Sequence, residues 1–455
     1  MNDNQLLLAF YGDDFTGSTD AMEALSQKGY RTVLFLEAPT QDMLQRFENL
    51  RCIGVAGTSR AKTAPELRKE VRPVIEQLSQ IGAPVVHYKT CSTFDSSPEI
   101  GSIGEAIRVS LDFFPKQDTV PLLVGAPALG RYTVFGQHFA RMDDLVYRLD
   151  RHPIMARHPV TPMGEADLRL HLKKQFNTEM ALINIIELEG ETDLVTERFR
   201  KKLEEKPTVL LFDVLDEERL LMSGRLIWEA ASKNRAFVVG SSGIEYALTA
   251  FWEKEGISQS VTVQSDYEVF PAKQILAVSG SASYVSQRQI ETAIEQGFHG
   301  IRIPIDSLLE TKSQPEELLN EAIHLLNKGE SVVLYTALGT EDAAIASTRE
   351  LFASKGIDNS QTGEYIGRQL GRWTNYIIRQ ASLRRVVIAG GDTSGFVTSE
   401  MGIFGLEMLL PISPGAPLCK VYSADSEMDG IELALKGGQF GSPDYFVRVR
   451  DAATN

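Results

Sequence analysis

Residues 6–21 read LLLAFYGDDFTGSTDA. A short apolar run ends in a turn with two adjacent aspartates, a glycine and hydroxyl residues. A helical pattern follows, from about Ser18 to Lys28. This strand–turn–helix start points to a parallel α/β sheet, whose ligands sit beyond the carboxyl ends of the strands. It also poses a chemical question. One aspartate after a strand is commonly a helix N-cap; two adjacent ones repel each other and need a further purpose.

Working outward, the same alternation continues. Apolar runs at 32–36, 52–56, 83–89 and 120–125 read as strands, with helices over about 65–80 and from near Ser102. Residues 126–180 read as long loops plus a helix around 165–176. Strands resume at 181–186, 208–214 and 236–240. The polar stretch 253–271 reads as a boundary. A second alternating set follows at 274–280, 300–305, 331–337 and 385–391, with no sequence repeat between the halves. The expected fold class is α/β with two domains, 1–253 and 272–455. Each has a mostly parallel sheet flanked by helices, with a ligand cleft between them.

A net charge of −15 over 455 residues disfavours nucleic acid and anionic membranes as partners. No apolar run approaches the roughly 18–20 residues of a membrane span, and the start MNDNQ lacks the basic region of a signal peptide. Cys52, Cys91 and Cys419 show no metal-ligand spacing, which suggests a reducing, cytoplasmic setting.

The strand ends differ between the halves. The first offers Asp13-Asp14, then Thr58-Ser59-Arg60, then the run from Lys89 to Ser96. Acids, cations and hydroxyls suit a small polar anion, with Arg60 and Lys89 for a carboxylate. The second offers Ser279-Gly280-Ser281-Ala282-Ser283, Thr336–Gly339, Gly390-Gly391-Asp392-Thr393-Ser394-Gly395 and Lys436-Gly437-Gly438. Glycines and hydroxyls at helix starts suit phosphate. Strand-end glycines are also ordinary turn makers, but GGDTSG carries more than a turn needs. His87 and the three tryptophans read as packing. There is no Gly-Lys dipeptide, hence no Walker A loop, no HRD kinase signature, and no GxGxxG after the first strand.

Taken together, GDDFTGSTDA, TSRA at 58–61, YKTCSTFDSS at 88–97, GAPALGRYTVFG at 125–136, VGSSGIE at 239–245, VSGSASYVSQRQI at 278–290, AGGDTSGFV at 389–397 and KGGQFGSPDYF at 436–446 resemble the four-carbon acid sugar kinase family. The resemblance implies a sugar-acid-binding N-terminal domain and a nucleotide-binding C-terminal domain using ATP and Mg²⁺. It places substrate contacts at Asp13, Asp14, Arg60, Lys89, Thr90, Cys91, Ser92, Asp95 and Ser96. It places nucleotide contacts at Ser279, Gly280, Ser281, Ser283, Gly390, Gly391, Asp392, Thr393, Gly437 and Gly438. A homodimer is compatible with it. Asp392 and Gln439 stand where many members carry Glu and Asn, and the stretch around 130–165 is long. Known family substrates include 3-oxo-tetronates, threonate, erythronate and 3-oxo-isoapionate, and the N-terminal start looks most like the last group.

On this reading Asp14, seconded by Asp13, orients and deprotonates the acceptor hydroxyl, Arg60 and Lys89 hold the carboxylate, and Asp392 lies near Mg²⁺. Two alternatives compete: a Mg-dependent hydrolase with Asp13-Asp14 as metal ligands, and a non-catalytic sugar-acid sensor. The phosphate-type loops of the second half argue against both.

Overall fold

The structure, a computed structural model, describes residues 5–257, 268–309 and 315–454. The chain divides into two compact units, Met1–Val263 and Gln264–Asn455. Part of the polar stretch read as a boundary, residues 258–267, lies outside the described residues.

The first unit is built on eight parallel strands. They are β1 (Leu8–Gly12), β2 (Thr32–Phe35), β3 (Cys52–Ala56), β4 (Val85–Lys89), β5 (Val120–Leu123), β9 (Met180–Ile183), β10 (Val209–Phe212) and β11 (Ala236–Gly240). Their order is β2-β3-β1-β4-β11-β5-β10-β9. Every residue of β1 and β4 is buried, which is why their sequences are almost unbroken apolar runs. The register aligns the carboxyl ends: Gly12 pairs with Ala56 and with Lys89, and Lys89 with Gly240. The acids after β1, the Lys89 loop after β4 and the serines after β11 therefore emerge along one edge.

Two features depart from expectation here. The helix after β1 runs Phe15–Ser26, earlier than the apolar pattern suggests, because the Asp14 side chain caps it by accepting from the Gly17 N–H at 2.9 Å. And residues 131–148, expected as loop, form an antiparallel sheet of β6 (Arg131–Val134), β7 (Gln137–Met142) and β8 (Leu145–Arg148). These strands are largely half-buried or exposed, so they carry no apolar run to betray them.

The second unit has seven strands: β12 (Leu276–Ser279), β13 (His299–Arg302), β14 (Val332–Tyr335), β15 (Arg385–Ala389), β16 (Ile403–Leu410), β17 (Leu418–Ser423) and β18 (Glu432–Lys436). The order is β13-β14-β12-β15-β18-β17-β16, parallel through β18 and antiparallel at β17 and β16. β16 and β17 are absent from the strands expected from the sequence, and of β18 only its end at Lys436 is anticipated. Its core gathers Ile275, Ala277, Val387, Ile412, Leu418 and Ala434 of the sheet region with Ile290, Ala293, Tyr445, Phe446 and Val449 of two helices. β15 stops at Ala389. The helix Gly391–Glu400 then takes GDTSG as its own first turn, after Gly390 at φ 138°. Only glycine tolerates that backbone without strain. Among the described residues no helix is long and apolar enough to cross a membrane.

Candidate active site

In the first unit the answer to the paired aspartates is a shared guanidinium. Arg60, on the short 3₁₀ turn Ser59–Ala61 after β3, donates from Nη2 to Asp13 Oδ1 at 2.8 Å and to Asp14 Oδ1 at 2.6 Å. Its Nε reaches Asp13 Oδ2 at 3.4 Å, and the Arg60 N–H donates to the Asp13 carbonyl at 3.0 Å. Charge-assisted contacts of this kind are the strong ones. The two aspartates are not equivalent. The Asp13 side chain is 3% exposed and both its oxygens face Arg60. Burial pushes its carboxyl up; Arg60 opposes the rise and Asp14 adds to it. The Asp14 side chain is 27% exposed, with Oδ1 taken by Gly17 and Arg60 and Oδ2 without a partner among the described residues.

The turn that carries Arg60 is itself braced. Glu70 Oε1 accepts from Tyr11 Oη at 2.6 Å and from the Thr58 N–H at 2.7 Å, and Oε2 from the Thr58 hydroxyl at 2.9 Å. The Tyr11 and Tyr88 rings stack 5.6 Å apart, and Tyr88 Oη bonds the Ser59 hydroxyl at 2.9 Å.

Lys89 ends β4 and is buried. Its stem and ammonium lie beside Asp14 and the backbone of Gly17, where even a methyl group would collide with Nζ. Its Nζ makes no hydrogen bond or ion pair to any described residue. Thr90 Oγ1 donates to the Gly240 carbonyl at 3.2 Å, and the Cys91 thiol contacts Thr93 Oγ1 at 3.0 Å. Thr93 in turn donates to Asp95 at 3.0 Å. The Ser92 carbonyl accepts from His138 Nε2 at 2.9 Å, which fixes that tautomer; His138 Nδ1 then accepts from Thr133 Oγ1 at 3.0 Å. Ser96 stands apart. Its buried hydroxyl donates to Phe94 O, accepts from Gln175 at 2.8 Å and contacts His171 at 3.1 Å, so its polar capacity is spent on the loop. Burial and hydrogen bonding make His87 what the sequence suggested, a core residue paired with Glu245 at 2.8 Å.

In the second unit the glycine-and-hydroxyl loops meet at the ends of β12, β15 and β18. Ser279 pairs with Ala389, and Ala389 with Lys436. The Gly280 and Gly390 N–H groups donate to the Ala389 and Lys436 carbonyls. Ser283 caps the helix Tyr284–Glu295, accepting from the Ser286 N–H at 3.0 Å and donating to the Gly438 carbonyl. A Cβ on Gly280, Gly390 or Gly438 would lie 2.5 Å from Thr393 Oγ1, 2.7 Å from Thr393 Oγ1 and 2.7 Å from Ser281 Oγ respectively. On Gly391 it would meet nothing within 4 Å. Close-packed backbone facing open space at a helix start is the shape that takes phosphate. The Ser279 hydroxyl is buried without a partner among the described residues. Gly437 joins the same turn. The side chain of Asp392 lies outside the described residues. Among the described residues no group of three or more His, Cys, Asp or Glu could hold a metal ion.

Sequence reasoning names Lys436 only as the start of a glycine run and gives it no role. It is buried, touches only Ser286 Oγ at 3.1 Å, and burial pulls its ammonium down to about 7. The run KGGQFG was read for its glycines; an apolar strand ending in a lysine was the available signal.

Residues 8–248 match a sugar-binding N-terminal domain, and residues 276–446 match a nucleotide-binding C-terminal domain. The chain belongs to the four-carbon acid sugar kinase family. By that membership it is a sugar-acid kinase. Among similar members, the 3-oxo-isoapionate kinase of Paraburkholderia graminis is 43% identical over 98% of this chain and 94% of that protein. The 3-oxo-tetronate kinase of Pseudomonas savastanoi pv. phaseolicola is 29% identical over 99% and 98%. A crystal structure of a Haemophilus influenzae protein superposes with a TM-score of 0.75 at 23% identity, covering 98% of this chain and all of that one.

Proposed function

We propose that this sugar-acid kinase transfers the γ-phosphate of ATP to the terminal hydroxyl of a small 3-oxo sugar acid in carbohydrate-acid catabolism in the cytoplasm, with 3-oxo-isoapionate as the first substrate to test. The acid belongs to residues 1–253 and the nucleotide to residues 272–455. One observation carries the reading: Asp14 keeps an open carboxylate oxygen beside an unpaired buried ammonium, Lys89, in the unit that matches a sugar-binding domain.

Arg60 anchors Asp13 and fixes Asp14, so Asp14 Oδ2 is the acceptor offered to the substrate hydroxyl, with Asp13 holding the arrangement. That oxygen orients the alcohol and receives its proton as phosphoryl transfer proceeds, the usual modest role of a base in this chemistry. Lys89 meets the carboxylate, with Thr90, Cys91, Ser92 and Asp95 around it. Ser96 keeps the loop in place. In the second unit the N–H groups of Ser281, Gly391 and Thr393, with the Gly437-Gly438 turn and the Ser279 hydroxyl, would hold the phosphates, while Ser283, whose N–H donates to Ser281 Oγ at 3.3 Å, shapes the loop. Mg²⁺, when bound, would supply neutralisation of the phosphate charge, and Asp392 is the carboxylate of the motif that would help to hold it.

The test is ADP release with MgATP over 3-oxo-isoapionate, 3-oxo-tetronates, threonate and erythronate. Acid-dependent ADP release with 3-oxo-isoapionate, at a higher kcat/KM than with the others, is the expected result. No acid-dependent release with any of them would sink the proposal.

A further inference from the structure

Arg131 opens β6, just beyond the carboxyl end of β5. Its Nη1 is tied down by backbone carbonyls: Leu129 O at 2.9 Å, Arg141 O at 3.3 Å and Gly130 O at 3.4 Å. Its Nε is buried and has no hydrogen-bond partner, and no described carboxylate forms an ion pair with it. The anchored nitrogen is Nη1, so Nε and Nη2 have no hydrogen-bond partner among the described residues, and they form the edge that grips a carboxylate with two parallel N–H···O bonds. A buried donor left unmatched is costly and calls for an explanation. The carboxylates that act on this guanidinium are Asp20 and Asp95, with Arg141 as a like charge. Asp95 belongs to the Lys89–Ser96 loop. Asp20 feels Lys89 as its strongest charged neighbour. Asp20 is thus within electrostatic reach of both Arg131 and Lys89, while Arg60 is already engaged by two aspartates.

We infer that Arg131, through its Nε–Nη2 edge, is the bidentate partner of the substrate carboxylate, with Lys89 as its second cation, and that Arg60 serves the aspartates instead. This rests on the sugar-acid reading above. It assigns to the small β6–β8 sheet a share in choosing the substrate: an acid is selected over the corresponding neutral sugar by a fork that only a planar anion fills.

The experiment is steady-state kinetics of full-length wild type, R131M and R131K with 3-oxo-isoapionate and MgATP. R131M should raise the acid KM about tenfold to a hundredfold, the loss expected for one charge-assisted bidentate contact, with the ATP KM within twofold. R131K keeps the charge but not the fork, so it should fall between the two. An acid KM within twofold of wild type in both variants overturns the inference. Should R131M fail to fold, R131K decides alone: a raised acid KM supports the fork and an unchanged one refutes it. Inactivity of the wild type toward 3-oxo-isoapionate would instead strike the substrate reading. Arg131 is then tested by the same variants on whichever acid the wild type turns over.

Discussion

Asp13 and Asp14 share a guanidinium, yet the structure divides their work. With Asp13 sealed on both oxygens, Asp14→Asn is the cleaner probe. Asparagine can still accept from Gly17 and cap the helix, but it cannot take a proton at neutral pH. kcat and kcat/KM should fall together by about 10²–10⁴-fold, with the folded state intact by circular dichroism. Near-full turnover would leave Asp14 as a cap only. Asp13→Asn should behave differently. It unbalances Arg60, so stability should drop as well as rate. The sequence showed both aspartates but not their inequality, because the residue that separates them lies 46 and 47 positions away.

Lys436 makes a second test at this scale. Burial holds its ammonium at about 7 when folded, against 10.5 ordinarily. A lowered lysine pKa means the unfolded chain binds the proton more tightly, so stability rises with pH between about 7 and 10.5. Comparing wild type with Lys436→Met in urea isolates this group. The variant should be the more stable at pH 7, and its advantage should shrink as pH is raised toward 10. A difference that does not change with pH would refute the burial argument.

Single side chains act here through the turns and strands that carry them. Glu70, on the helix Ala64–Ile81, holds the Thr58 backbone, the Thr58 hydroxyl and Tyr11 at once. Glutamine presents an amide N–H₂ where a donor already points. Glu70→Gln should cost about 1–3 kcal/mol in urea unfolding and lower kcat severalfold as the Arg60 turn loosens its hold on Asp14. The ATP KM should stay put. Loss of stability without any change in kcat would mean that the brace does not position Arg60.

Legibility at the element scale follows burial. The central strands β1, β4 and β11 are buried on both faces and announce themselves as apolar runs. β7, QHFARM, alternates half-buried and buried positions over its first four residues and interleaves Gln137, His138 and Arg141 with apolar residues, and its partner β8 is mostly exposed. Such strands are held by their neighbours rather than by composition. Arg131 sits on this sheet, so in the sequence it is only one letter of the motif GAPALGRYTVFG. The phosphate-type loops were readable because glycine and serine are unusual at that density, whereas the engaged hydroxyl of Ser96 depends on His171 and Gln175, far along the chain.

For the whole molecule, two units matching two different domain types predict separable ligand footprints. In hydrogen exchange, 3-oxo-isoapionate alone should slow amides in residues 8–248, around 12–18, 58–61 and 89–96. MgATP alone should slow those around 279–286, 390–395 and 436–440. Nucleotide protection confined to the first set would reverse the proposed division.

The unmatched donors of Lys89 and Arg131 have one more consequence, for heat. In the unfolded chain both groups are fully hydrated; in the folded unit the Lys89 ammonium and the Arg131 Nε have no hydrogen-bond partner among the described residues. An anion that fills them binds only the native chain and so draws the unfolding equilibrium toward it. At a free acid concentration of 100 Kd this linkage is worth about 2.7 kcal/mol. Melting curves should therefore climb steadily with the logarithm of acid concentration. In R131M the climb should begin only at acid concentrations about tenfold to a hundredfold higher.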